Sequence, residues 1–206
     1  MIASIVLVGG KGLRMGGNKA AQLLEGKTLL ERVVERLALL SGQILVVGSS
    51  RKIDCALDAT IQYMDDLYPG RGPLGGIYTG LVAAESPYSL VVACDFPFLE
   101  VEFLRHMIDI SPGFDAVVPR MDREQPLQAV YSKSCLGNMK ERLERGWLGV
   151  TRFLGTVNVR YVDQDECRIF DPHLLSLFNV NSVEDLIRAS ILETKRQVSQ
   201  VDEVGL

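Results

Sequence analysis

"IASIVLVGGKGLRMGGNK", Ile2 to Lys19, is an apolar run that breaks into glycine. From Leu7 to Lys19 it holds five glycines, Arg14 and the two lysines Lys11 and Lys19. Apolar and β-branched residues without alternation leave no wet face, as in a parallel strand covered on both sides. Glycine admits positive φ and lets backbone N–H groups approach a polyanion with no Cβ between them. Arg14 can grip phosphate in a bidentate way, and Lys19 acts as a compact cation. A strand that ends in such a loop suits a triphosphate; the plainer alternative is a connector with solvated charges. Two familiar phosphate loops do not fit. G-x-G-x-x-G finds Gly10 and Gly12 but meets Met15 where the third glycine belongs, and the Gly12–Gly17 pair of a G-x-x-x-x-G-K-[ST] loop is followed by Asn18 before Lys19.

Outward from this stretch, strands and helices alternate. Ser4–Val8, Gln43–Val47, Thr60–Met64 and Ser89–Cys94 read as buried strands. Thr28–Leu40 has apolar residues at helical spacing, with Glu31, Arg32, Glu35 and Arg36 on the other side. Gly75–Glu85 and Glu100–Ile110 read as further helices. The alternation predicts an α/β fold of three layers, Rossmann-like, with a mostly parallel sheet and helices on both faces. Ligands then belong at the carboxyl ends of the strands, which three loops leave: 9–18, 65–75 and 95–97. In the second half Asp115–Pro119, Leu127–Ser132 and Asn158–Val162 read as strands, and Ser132–Gly146 as a helix. A C-terminal helix over Val183–Lys195 has Ser182 or Asn181 as its cap. Residues 195–206 are expected to fray. The chain is expected to form a single domain over 1–206, with a nucleotide-binding half (1–100) and an acceptor-binding half (101–190).

With 206 residues, 47% of them hydrophobic, the chain can bury one sizeable core. A net charge of -4 argues against a general nucleic-acid or membrane-surface binder. Cys55, Cys94, Cys135 and Cys167 show no metal-ligand spacing and fit a reducing compartment. With no signal-peptide pattern and no apolar run long enough to span a bilayer, a cytoplasmic location is expected.

Two acidic loops complete the candidate site. Asp65 and Asp66 are consecutive, so an extended backbone points them opposite ways and only one of them would face a ligand; the alternative is that they are solvated turn residues. A carboxylate there can accept from both N1–H and N2–H of guanine. Asp95 follows a wholly apolar strand, and Pro97 stops that strand from continuing. A carboxylate in that place is costly unless paired or coordinating a cation, and Mg2+ favours one or two carboxylates together with substrate phosphates. The alternative is that Asp95 caps the helix beginning near Glu100.

"LVGGKGLRMGGNK" resembles the signature L-A-G-G-x-(S/G)-x-R-M-G-x-x-K of nucleotidyltransferases with a GT-A-like Rossmann fold, with Val8 in place of alanine. The segments "DDLYPGRGPLGG" and "CDFP" resemble two further blocks of that superfamily. Arg123–Ser134 resembles the E-x-P-L-x-A-x-Y segment of molybdenum cofactor guanylyltransferases (MobA-type), and Leu177–Leu186 their near-terminal N-(I/V)-N-T-P-E motif, with Ser182 and Val183 replacing Thr and Pro. The resemblance implies GMP transfer from GTP to molybdopterin carrying molybdenum, with release of pyrophosphate. It implies that Leu7, Val8, Gly9, Gly10 and Gly12 lie along the GTP, that Arg14 and Lys19 neutralise its phosphates, that Asp65 or Asp66 reads the base, and that Asp95 holds Mg2+. Arg14, Lys19 and Asp95 are the expected catalytic residues. Asn179 and Asn181, on alternate positions of an extended segment, offer amides suited to a pterin edge; as plain helix-entry residues they would do no more than cap. Molybdopterin-delivering proteins and molybdoenzymes are the expected protein partners. Cytidylyl transfer to the same pterin, sugar-phosphate nucleotidyl transfer, and a non-catalytic GTP-binding cofactor adaptor are the alternatives.

Overall fold

Strand β1 (Ile2–Leu7) is buried along its whole length, which places it inside a sheet with both faces covered. The computed structural model describes residues 2–9, 19–48 and 61–204. Among them, seven strands form one sheet in the order β5 (Ile61–Met64), β4 (Ser41–Val47), β1, β6 (Tyr88–Ala93), β8 (Gln128–Ser132), β7 (Ala116–Pro119), β9 (Val159–Val162). All neighbours pair parallel except β8, which is antiparallel to both β6 and β7. The mostly parallel α/β fold expected from the sequence is therefore present. From β1 the chain crosses to β4 and β5 on one side, then returns to β6 on the other. The strand order reverses between β1 and β6, and an open α/β sheet places its ligand crevice at such a reversal.

Helices cover both faces. α1 (Leu29–Ala38) starts on a capping box, in which the Thr28 hydroxyl accepts from Glu31 N and the Glu31 carboxylate accepts from Thr28 N. Its apolar face, Leu30, Val33, Val34 and Leu37, packs with α3 (Val101–Asp109) and α6 (Gln164–Phe170) on the side of Val6, Ile44 and Val92. α2 (Gly72–Ala83), α4 (Leu136–Glu144) and α5 (Val150–Leu154) cover the side of Ile5, Leu45 and Val91. α2 begins three residues earlier than the sequence pattern predicts, because Pro73 fits the first turn of a helix, where its missing N–H leaves no bond unmade.

Close approach between α2 and β1 depends on small residues. A Cβ on Gly80 would lie 2.5 Å from Cγ2 and 2.7 Å from Cδ1 of Ile5, which is fully buried and branched at Cβ. Gly80→Ala is expected to cost about 1–3 kcal/mol by overpacking, a fall in Tm of about 3–10 °C for a chain of this size. A melting curve checks this; an unchanged Tm would mean that α2 can move off the sheet freely.

Five further elements lie where the sequence pattern was silent or different. β2 (Leu23–Leu24) and β3 (Lys27–Thr28) form a hairpin whose two turn residues, Glu25 and Gly26, have φ of 51° and 80°, as a two-residue turn between right-twisted strands requires. Helices α5 and α6 are too short to show periodicity. α7 (Val183–Val204) runs well past Lys195 and through most of the stretch expected to fray; no glycine or proline interrupts it before Gly205. Arg32 and Glu193 tie α7 to α1 at 2.7 Å, both largely shielded from solvent. Leu24, Leu29, Phe98, Val180 and Ala189 form a small apolar cluster that joins the hairpin, the Asp95 loop and α7.

Candidate active site

The ends of β1, β4, β5 and β6 are laced together by backbone bonds. Cys94 N donates to Leu7 O at 3.1 Å, Val8 N to Val47 O at 2.9 Å, and Gly48 N to Met64 O at 3.2 Å. Leu7 and Val8 are buried and Gly9 is exposed, so the floor of the site is backbone rather than side chain. Gly48 was not singled out by the sequence, yet it is the strained member of this floor. Its φ is 102°, and a Cβ there would sit 2.6 Å from the Val8 carbonyl oxygen. The sequence signal was a glycine directly behind the apolar run Ile44–Val47. Gly10, Gly12 and Arg14 lie outside the described residues.

Three side chains from distant parts of the chain meet at this edge. Lys19 Nζ donates to Asp95 Oδ2 at 2.6 Å and to Asn181 Oδ1 at 2.8 Å. The Lys19 and Asp95 side chains keep 23% and 15% of their surface exposed, so the pair is shielded while still reachable. The other carboxylate oxygen, Asp95 Oδ1, is buried and has no hydrogen-bond partner among the described residues. A buried, unpartnered carboxylate oxygen is costly, and a hard divalent cation satisfies it. No group of three or more His, Cys, Asp or Glu side chains is placed to hold a metal among the described residues. That donor set suits a cation bound by one carboxylate and completed by phosphate and water, in the manner of Mg2+. Asp95 does not cap the following helix: Glu100 occupies the cap of α3, without a side-chain bond.

The two consecutive aspartates are placed differently. Asp66 Oδ1 accepts from Tyr68 N at 2.9 Å and lies 2.9 Å from the Thr79 hydroxyl of α2. Its carboxylate also packs where a Cβ on Gly75 would come within 3.1 Å. Asp66 is thus used to hold the turn against α2. Asp65 is exposed, and no such bonds hold it among the described residues.

Asn179 and Asn181 are exposed on either side of buried Val180, whose N–H donates to Asp95 O at 2.9 Å. Of the two cap candidates, the structure takes Ser182. Its Oγ accepts from Asp185 N at 3.1 Å, while Asp185 Oδ2 accepts from the backbone N–H groups of Asn181 and Ser182 at 3.0 Å. The Asn181 N–H first, then the Ser182 hydroxyl and N–H and the charge of Arg188, outweigh the small loss of hydration and hold the Asp185 carboxyl below its usual range.

The remaining titratable candidates serve the fold. Burial, with Asp95 adding to it, pushes the Cys94 thiol up to about 12, so Cys94 packs as a neutral group. His106 Nε2 lies 2.8 Å from Glu166 Oε1 and stacks on Phe170, while Arg160 reaches the same carboxylate at 2.7 Å. Burial raises the Glu166 pKa, but the bonds from His106 and Arg160 prevail and bring it below the usual value. This network ties α3, α6 and β9 together. Tyr131, the aromatic of the P-L-x-A-x-Y segment, is fully buried and donates to Pro126 O at 2.8 Å.

The family model described as a MobA-like NTP transferase domain matches residues 4–159. A probable molybdenum cofactor guanylyltransferase of Pelotomaculum thermopropionicum is 33% identical, the alignment covering 96% of each chain. A probable molybdenum cofactor guanylyltransferase of Methanosarcina mazei is 37% identical, over 89% of this chain and 88% of its own. Among solved structures, molybdopterin-guanine dinucleotide biosynthesis protein A of Archaeoglobus fulgidus superposes with a TM-score of 0.82 at 32% identity, covering 94% of this chain and 100% of that one. A 2-C-methyl-D-erythritol 4-phosphate cytidylyltransferase of Thermus thermophilus shares the fold at a TM-score of 0.66 and 18% identity, over 93% and 98%.

Proposed function

This chain belongs to the MobA-like NTP transferases and, within them, to the molybdenum cofactor guanylyltransferases, and from that membership we propose how its residues carry out the reaction. The chain transfers GMP from GTP to molybdopterin carrying molybdenum, releases pyrophosphate, and forms the guanine dinucleotide form of the cofactor. The observation that carries the assignment of chemistry to residues is the Asp95 carboxylate, with one oxygen on Lys19 and the other buried and without a partner among the described residues.

The backbone of Leu7, Val8 and Gly9 flanks the base, and the exposed Asp65 accepts from guanine N1–H and N2–H, since Asp66 is engaged with Tyr68 and Thr79. Gly10, Gly12 and Arg14 belong to the loop over the phosphates. Asp95 is the ligand of a divalent cation, proposed as Mg2+, which when bound neutralises phosphate charge as pyrophosphate leaves. Lys19 places a cation beside the phosphates, and Asn179 and Asn181 are the acceptor-side amides. The attacking group is the terminal phosphate of molybdopterin, ionised at neutral pH, so no general base is required. Positioning and charge then supply most of the rate. Neither histidine has a role in this scheme: His106 is engaged with Glu166 and Phe170, and His173 is given none.

Pyrophosphate release with Mg2+ and molybdenum-loaded molybdopterin, run with GTP, CTP and ATP side by side, tests the proposal. GTP-selective release is expected. Asp65→Ala should erode the preference for GTP by at least about tenfold, the worth of a lost hydrogen bond to a charged group. Asp66→Ala should instead lower stability and leave the preference in place. Selectivity for CTP would overturn the base assignment, and no release with any nucleotide would favour a cofactor adaptor.

A further inference from the structure

The Lys19 ammonium carries three N–H donors and no acceptor. Two of the donors are used on Asp95 Oδ2 at 2.6 Å and Asn181 Oδ1 at 2.8 Å, which sets the direction of the third. Because lysine can only donate, the amide oxygen of Asn181 must face it, and the planar amide then sets where Nδ2 points. A lysine held at two points has already lost much of the rotamer freedom that gripping a phosphate would otherwise cost it.

Asn181 is itself held from both sides. Before it, Val180 is fully buried with Leu24, Leu29, Phe98 and Ala189, and its N–H is bonded to Asp95 O at 2.9 Å. After it, the Asp185 carboxylate accepts from the Asn181 and Ser182 N–H groups at 3.0 Å. The start of α7 therefore delivers one amide oxygen to a lysine 162 positions earlier in the chain.

We infer that Asn181 is a positioning residue of the nucleotide site, acting through Lys19, and that its role is not confined to the acceptor. The inference rests on the reading of Lys19 as a phosphate ligand. An acceptor bonded to Nδ2 and a nucleotide bonded to Lys19 are then linked through a single side chain.

The test is the dissociation constant of GTP with Mg2+, measured by calorimetry with no pterin present, so that an acceptor contact alone cannot move it. Asn181→Ala is expected to weaken GTP by about tenfold, the range of a hydrogen bond to a charged group. In a Lys19→Met background the same substitution should change affinity less than about twofold, because the interaction it removes is already gone. Asp185→Ala touches neither ligand but frees the Asn181 backbone; it should act in the same direction, more weakly, and add nothing to Asn181→Ala. An Asn181→Ala protein that binds GTP like the unmodified one while its KM for molybdopterin rises would overturn the inference. So would an equal loss with and without Lys19, which would signify general distortion. If turnover proves selective for CTP, the base assignment falls, and the same cycle run with CTP judges the link between Lys19 and Asn181 separately.

Discussion

Asp95→Ala is expected to lower pyrophosphate release by about a thousandfold or more while the protein stays folded, the scale of losing a preorganised charge at a transferring phosphoryl group. Two functions fail together in this variant. The buried Oδ1, without a partner among the described residues, is the oxygen offered to a divalent cation, and Oδ2 is what holds Lys19. Asp95→Asn separates them, since an amide oxygen still accepts from Lys19 but carries no net charge. Steady-state release by Asp95→Asn should fall nearly as far as by Asp95→Ala, with GTP affinity in the absence of metal changed much less. Turnover by Asp95→Asn above a tenth of the unmodified rate would sink the assignment of Asp95 as the cation's ligand.

The second large effect is expected at Lys19. Lys19→Met should lower kcat/KM for GTP by about 10²–10³-fold, as for other single donors aimed at charge developing in a transition state. Lys19→Arg should recover little of it. A planar fork cannot satisfy Asp95 Oδ2 at 2.6 Å and Asn181 Oδ1 at 2.8 Å from one nitrogen and still aim a donor at phosphate as a compact ammonium does. Comparing kcat with KM divides the loss: a fall confined to KM would make Lys19 a binding residue only. Lys19→Met with turnover within a few fold of the unmodified protein would remove it from the chemistry.

Much of the architecture was legible along the chain. Four apolar runs announced the parallel strands, and each has its counterpart in β1, β4, β5 and β6, but β5 is not the buried strand expected: at the edge of the sheet it has no fully buried residue, and Gln62 is exposed. The helical spacing of Thr28–Leu40 marked α1; the Thr28–Glu31 capping box that starts it is a further local signal that the spacing did not use. Asp95 stood out because an ionised group directly after a buried strand requires a partner. The hairpin of β2 and β3 was missed because two-residue strands show no period. The far end of α7 was missed because Gln197 to Val204 carries only Val198, Val201 and Val204 among polar and charged residues, although it also lacks a helix breaker.

By itself, the sequence determined where buried strands end in glycine and which carboxylates and cations lie at those ends, because strand burial, turn chemistry and helix caps are local properties of neighbouring residues. Only the tertiary structure decided that β8 runs against its neighbours, that Asp66 holds α2 while Asp65 is left exposed, and that Asn181 faces Lys19. Each of these depends on which distant segments pack side by side. That follows from the fit of two apolar faces against one sheet, a sum over many contacts far apart in sequence that no single segment encodes.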